Sequence, residues 1–312
     1  MHILITQKPT EEQLSAIREL LPEATITVTR EEEEIRQAMR TAEVIWGSHY
    51  LPEMLPEAKS LRLIQVAFAG VDRLMVPQLL AHKAVLANAR GIHGTTIAEH
   101  VFMLMLALAR QLPATMRAAD RKEWTRTGAA VLEGSTMGIV GYGSIGQAIA
   151  RRAKAFGMQV LATRRHAQPD QWADQVWDNS GLPDLLRQSD YVILATPLTT
   201  ETYHLIGSEE LAMMKDSAVL VNIARGAVVD EKALIACLQA GGIRGAGLDV
   251  FETEPLPADS PLWSMPNVVI TPHQAGSMPD YDQRAFAVFM DNLKRLQAGE
   301  PLLNVVDKQA GY

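Results

Sequence analysis

Residues 137–146 read Met137-Gly138-Ile139-Val140-Gly141-Tyr142-Gly143-Ser144-Ile145-Gly146. The opening residues form an apolar strand, the last six are a G-x-G-x-x-G turn, and an amphipathic helical pattern runs over Ile145–Phe156. A second apolar strand, Gln159–Ala162, follows. Glycines cluster in many loops, so the turn alone says little; it is the strand–turn–helix–strand context that the dinucleotide fingerprint requires. Gly141 permits the tight turn, Gly143 lets a pyrophosphate approach the backbone, and Gly146 lets the helix pack close to the strand. The helix start, with Tyr142, Ser144 and Ile145 between the glycines, supplies amides and a positive dipole end for phosphates.

The end of the second strand chooses between dinucleotides. NAD binders place an acid there to hold the ribose 2′-hydroxyl. This chain has Thr163-Arg164-Arg165, then His166, and no acid before Asp170. A carboxylate repels a 2′-phosphate, whereas guanidinium groups pair with one. The pattern predicts NADP, with NAD accepted at lower preference; simple solvation of both arginines is the alternative.

Outward from this unit, apolar runs recur at Tyr191–Ala195, Ala218–Ile223, Gly245–Val250 and Val268–Ile270, as parallel strands buried on both faces require. The first third gives shorter strands at His2–Thr6, Thr25–Val28, Val44–Trp46, Leu63–Val66 and Val85–Leu86, alternating with helical stretches such as Thr10–Leu21. Alternation of this kind predicts an α/β chain of Rossmann-like, doubly wound architecture. Gly94–Arg110 reads as a long helix too apolar for one buried stripe, stopped by Pro113 and followed by a polar helix over Ala114–Trp124. Such a helix crosses between domains or packs on a second subunit. A final helix, Pro279–Ala298, carries Phe286, Phe289, Met290, Leu293 and Leu296 on one face and returns the chain to the first domain.

The 312 residues suit two domains rather than one. A formal net charge of −7 argues against nucleic acid, which needs a basic face. Cys237 is the single cysteine, which excludes an internal disulfide and a cysteine metal site; no metal is expected. The longest apolar run, Val101–Ala109, falls far short of the roughly 20 residues that span a bilayer. The N-terminus lacks the pattern of a signal peptide. A protein of the cytoplasm, with no membrane partner, is expected.

Open α/β sheets bind ligands at the carboxyl ends of their strands. There the chain places Thr196-Pro197, then Ile223-Ala224 running into Arg225, then Asp249, then His273, with Glu254 in the loop after Asp249. These types suit reduction of a carbonyl beside a carboxylate. An arginine holds the anion, a histidine protonates the carbonyl oxygen, and a carboxylate orients the ring and favours imidazolium. Arg225, His273 and Glu254 take these roles, and Thr196, Pro197, Ile223 and Ala224 are read as cofactor contacts. Singly, each has a bland reading as a turn, a structural hydrogen bond or a surface acid; their combination at one edge carries the argument.

The chain resembles the D-isomer-specific 2-hydroxyacid dehydrogenases over nearly its whole length. Four stretches carry this. They are Gly138–Gly146 with Ala155-Phe156-Gly157-Met158, Val221–Gly226, Leu248-Asp249-Val250-Phe251 running to Glu254-Pro255, and Thr271-Pro272-His273 with Ala275-Gly276. The look is nearest to glyoxylate/hydroxypyruvate reductases. The resemblance implies the catalytic set Arg225, Glu254 and His273, a contact of Asp249 with the nicotinamide carboxamide, and an Ala69-Gly70-Val71 turn offering amides to the substrate carboxylate. It also implies two α/β domains with a cleft between them. Residues 1–98 plus 281–312 would bind substrate and residues 99–280 the dinucleotide, with a homodimer formed through the Gly94–Trp124 region. Arg164 stands where NAD-dependent members carry aspartate. Gln274 stands where an apolar or small residue is commoner, and its role is open.

The expected function is therefore reduction of a small 2-keto acid by NADPH to a D-2-hydroxy acid. A dinucleotide-responsive binding protein of the corepressor type is the competing reading, in which the full Arg/Glu/His set would be superfluous. Trp46, His49, Tyr50, Phe68 and Met75 flank the substrate loops; they either line a pocket for a larger keto acid or belong to the core or a dimer face.

Overall fold

The computed structural model describes residues 1–47 and 49–312. The chain opens with β1 (His2–Ile5), α1 (Glu11–Leu20), β2 (Thr25–Val28), α2 (Glu32–Met39), β3 (Val44–Trp46), β4 (Leu63–Gln65), α3 (Pro77–Ala81) and β5 (Val85–Ala87). It continues with α4 (Gly94–Ala109), α5 (Leu112–Asp120), β6 (Thr136–Val140), α6 (Ser144–Ala155), β7 (Gln159–Thr163), β8 (Gln175–Trp177), α7 (Leu182–Gln188) and β9 (Tyr191–Leu194). The last elements are α8 (Ser208–Met213), β10 (Val219–Asn222), α9 (Glu231–Ala240), β11 (Gly245–Leu248), β12 (Val268–Ile270) and α10 (Tyr281–Ala298). Two compact units result, one of Met1–Ile92 with Pro279–Tyr312 and one of His93–Met278. The limit expected between 98 and 99 falls inside α4, which packs on α6, β10, β11 and β12 and goes whole with the second unit.

In the first unit the described strands form a parallel sheet in the order β2-β1-β3-β4-β5. Successive side chains point to opposite faces, and the core divides accordingly. Leu4, Ile45, Ile64 and Leu86 join α2 and the 50–79 segment, while Ile3, Ile5, Val44, Trp46 and Leu63 join α1 and α10. Trp46 is a core residue and not a pocket wall: it is 1% exposed, and its ring stacks on Phe289 at 4.5 Å between centroids. Tyr50 is also buried, which pushes its phenol up to about 12. Phe68 and Met75 are partly buried against the same face as Tyr50, and the His49 amide donates to Thr6 Oγ1 at 3.2 Å.

In the second unit the described strands form a parallel sheet in the order β12-β11-β10-β9-β6-β7-β8. Met137, Ile139, Ile193 and Val221 face α4 and α6; Val140, Val192, Leu194 and Leu220 face α7, α8 and α9. Both faces are covered, as the continuous apolar runs require. Two local readings need correction. Pro113 does not stop α4: the helix closes at Ala109 with Arg110 as its C-cap, Gln111 then turns the chain at a left-handed φ of 51°, and Pro113 lies in the first turn of α5. A proline fits there because its missing N–H has no helical partner to lose. The polar helix closes at Asp120, short of Trp124, which is fully exposed. The edge strand β8 went unread because it is three residues long and only half-buried.

Candidate active site

The glycine turn lies where the strand order reverses, between β6 and β9, the usual ligand position in such sheets. Gly141 has a φ of +97°, and a side chain there would meet the backbone of Ala195 and Thr196 at 2.6 Å. Only glycine combines that conformation with that approach. At Gly143 the ground is open: an added Cβ meets nothing within 4 Å. Gly143 is the N-cap of α6, and no side chain caps the helix, so its first amides face open space. This cradle fits the pyrophosphate of a dinucleotide.

Around the turn, the Thr163 carbonyl accepts from Gly141 N at 3.0 Å and Tyr142 N at 2.9 Å. The Tyr142 ring turns into the core, and its hydroxyl donates to Asp170 Oδ1 at 2.8 Å. Burial first, then Asp170, pushes the Tyr142 phenol upward. Asp170 also accepts from Trp172 N at 2.9 Å, so the first acid after β7 is committed within its own loop. Arg164 is half-buried at the end of β7, with its amide donating to Trp177 O at 3.0 Å. Arg165 is exposed and pairs with Glu201 at 3.4 Å. Thr196 and Pro197 begin the loop of β9, and Thr202 Oγ1 donates to the Pro197 carbonyl at 2.6 Å.

The catalytic candidates come from three adjacent strands. Arg225 follows β10, Asp249 and Glu254 follow β11, and His273 follows β12. Asn222 shapes the first loop: its Oδ1 accepts from Ala224 N and its Nδ2 donates to Arg225 O, both at 3.0 Å, with Ile223 and Ala224 buried between. Any side chain at Gly226 would run into the Phe251 backbone, so the first two loops lie against one another. Glu254 Oε1 accepts from Phe251 N at 3.1 Å, and its Oε2 lies 2.8 Å from His273 Nδ1. Against a carboxylate that nitrogen carries the proton, which leaves Nε2 as the outward atom of a ring 49% exposed.

His273 has a φ of 50°. Its amide donates to the Asp249 carbonyl at 2.8 Å, and the Gln274 and Ala275 amides donate to the Asp249 carboxylate, each at 2.9 Å. Gln274 thus enters the site through its backbone. Ala69, Gly70 and Val71 belong to the first unit, where Asn88 Nδ2 donates to Ala69 O at 2.7 Å and fixes that turn. Sequence reasoning missed Asn88 and also His100, whose Nε2 lies 2.9 Å from Thr271 Oγ1. A histidine on α4, directly before its apolar run Val101–Ala109, was a usable signal, because a buried polar side chain needs a partner. Among the described residues no cluster suits a metal ion, and no helix is long and apolar enough to cross a membrane.

Residues 102–275 match the family model described as D-isomer specific 2-hydroxyacid dehydrogenase, NAD binding domain. The glyoxylate/hydroxypyruvate reductase B of Pectobacterium carotovorum is 42% identical over 87% of this chain and 88% of its own length. The D-3-phosphoglycerate dehydrogenase of Methanocaldococcus jannaschii is 35% identical over 98% of this chain, which spans only 59% of that protein. Among solved structures, a D-isomer specific 2-hydroxyacid dehydrogenase from Xanthobacter autotrophicus Py2, in complex with NADPH and MES, is 30% identical with a TM-score of 0.87. That match covers 100% of this chain and 99% of the other. With the expected glycine turn on a Rossmann-like sheet and a family model matching more than half its length, the chain belongs to the D-isomer specific 2-hydroxyacid dehydrogenases.

Proposed function

We propose that this chain reduces a small 2-keto acid, of the glyoxylate or hydroxypyruvate kind, to the D-2-hydroxy acid, with NADPH preferred over NADH. The observation that carries the reading is the 2.8 Å pair of His273 Nδ1 and Glu254 Oε2, on the sheet edge that also bears Arg225 and the glycine turn. The bound dinucleotide supplies the hydride; the rest falls to the chain. Arg225 anchors the substrate carboxylate through a planar fork of donors. Glu254 stabilises the imidazolium and holds the ring, so that Nε2 gives its proton to the carbonyl oxygen as negative charge develops there. Asp249 Oδ2 accepts from Ala275 N at 2.9 Å and retains acceptor capacity for a carboxamide N–H.

Preference for NADPH is supported by Arg164 and Arg165 at the end of β7 and by the capture of Asp170 by Tyr142, which keeps that acid in its own loop. The Xanthobacter relative, solved with NADPH, is consistent with it, and the name of the Pectobacterium relative supports the substrate class. His273→Ala should lose roughly 100-fold or more in turnover, the scale of a general acid, while NADPH still binds. Full activity in that variant would remove the proton-donor role.

We also infer a homodimer, as a cytoplasmic enzyme. Met103 and Leu106 on α4, with Leu112 and Met116 on α5, are 36 to 56% exposed, and a second copy of the chain would cover this apolar row. Light scattering should give twice the mass of one chain, and a monomer at micromolar concentration contradicts it.

A further inference from the structure

Loop 271–275 is fastened from beneath by a single carboxylate. Asp249, 1% exposed, accepts from Thr271 Oγ1 at 2.6 Å and Gln274 N at 2.9 Å through Oδ1, and from Ala275 N at 2.9 Å through Oδ2. Between these tethers His273 sits at a φ of 50°, a left-handed conformation that a residue with a Cβ keeps only where its surroundings over-determine it. Behind the tethers stands His100 on α4, its side chain 10% exposed. Its Nε2 lies 2.9 Å from Thr271 Oγ1 and 3.5 Å from Asp249 Oδ1.

The available protons give these contacts a direction. Backbone amides only donate, and they address both carboxylate oxygens, so Asp249 acts as an acceptor. The Thr271 hydroxyl has one proton and gives it to Asp249 in the 2.6 Å bond. Its lone pair then faces His100, and His100 Nε2 must be the donor. Burial pushes the His100 pKa down while Asp249 pulls it up; the Nε2–H is present in either charge state when the neutral ring takes this tautomer.

We propose that His100 is a positioning residue for His273: its Nε2–H, passed on through Thr271 Oγ1, locks the Asp249 carboxylate and with it the backbone that presents the imidazole to Glu254. The inference rests on His273 as the proton donor. His100 acts through Thr271 Oγ1 and Asp249 Oδ1, at 2.9 and 3.5 Å from its Nε2. Without its donor, the Thr271 hydroxyl has a buried lone pair to satisfy and is free to rotate away from Asp249. The loop then relaxes, and proton transfer suffers from the misplaced ring more than dinucleotide binding does.

The test compares His100→Ala, His100→Gln, Thr271→Val and the His100→Ala/Thr271→Val pair, with His273→Ala alongside. Turnover, NADPH Kd by nicotinamide fluorescence and melting temperature are measured for each. His100→Ala should lower kcat about tenfold, in line with a sub-ångström misplacement of a catalytic group, and leave the NADPH Kd within about twofold. His100→Gln should recover most of the loss, because its amide reaches the position of Nε2 and donates there. The pair should be no worse than Thr271→Val alone, since that change already breaks the chain of bonds on which His100 acts. Wild-type kcat in His100→Ala beside an inactive His273→Ala overturns the inference and spares the proton-donor reading. A loss that glutamine fails to rescue, tracking a lower melting temperature, also overturns it and makes His100 merely structural. An active His273→Ala brings down the reading beneath it.

Discussion

In each unit a helix follows the first strand of the parallel sheet, α1 after β1 and α6 after β6, yet the two helix starts are closed in different ways. After β1 the chain reaches α1, whose amides are met by its own residues: Gln13 N donates to Thr10 Oγ1 at 3.2 Å, and Thr10 N donates to Gln13 Oε1 at 3.0 Å. After β6 it reaches α6, whose N-cap is Gly143 and whose start has no side-chain cap. The fold gives both helices the same positive end above a sheet. The capping box turns one inward, and the glycine turn leaves the other without a side-chain cap, as an anion site requires. A Rossmann-like sheet is thus no dinucleotide site by itself; the few residues between strand and helix decide.

The contrast is broken most severely at Gly143. Gly143→Asp sets a carboxylate in front of the α6 amides, where the new side chain has room within the protein. The chain should fold and yet lose NADPH affinity roughly 100-fold, as an unpaired like charge in a phosphate site demands. Unchanged affinity by fluorescence titration would mean the phosphates sit elsewhere. A smaller effect separates the two dinucleotides. Arg164→Asp should shift the ratio of kcat/KM for NADPH and NADH about tenfold or more toward NADH, through loss of a charge-assisted pair and gain of repulsion. A constant ratio removes the 2′-phosphate argument. The smallest effect belongs to the self-capped helix. Thr10→Ala should destabilise the first unit by about 1 kcal/mol, the usual worth of an N-cap, and leave NADPH affinity untouched. A changed affinity would show that the two helix starts are not independent.

What the sequence made legible follows from how local each signal is. The turn 141–146 and the strands around it are short-range patterns, so the sheet of the second unit and the order of Arg225, Asp249, Glu254 and His273 along its edge were readable residue by residue. Trp46 was ambiguous because a large aromatic at a strand end suits a pocket as well as a core. Phe289, which stacks on it, arrives from the far end of the chain. Pro113 was misplaced for a related reason: proline ends one helix and begins another with equal ease, and only the left-handed Gln111 shows which happened. The Asp249–Thr271–His100 chain joins residues from three separated elements. Each is ordinary alone, and only their approach gives them meaning.

Reduction of 2-keto acids is the activity proposed for this chain. Its most direct test is the loss of reduced-nicotinamide absorbance when purified protein meets a panel of 2-keto acids with NADPH and, in parallel, with NADH. The expected result is oxidation with glyoxylate or hydroxypyruvate, faster with NADPH. No oxidation of either cofactor across the panel, with NADPH shown to bind, would contradict it.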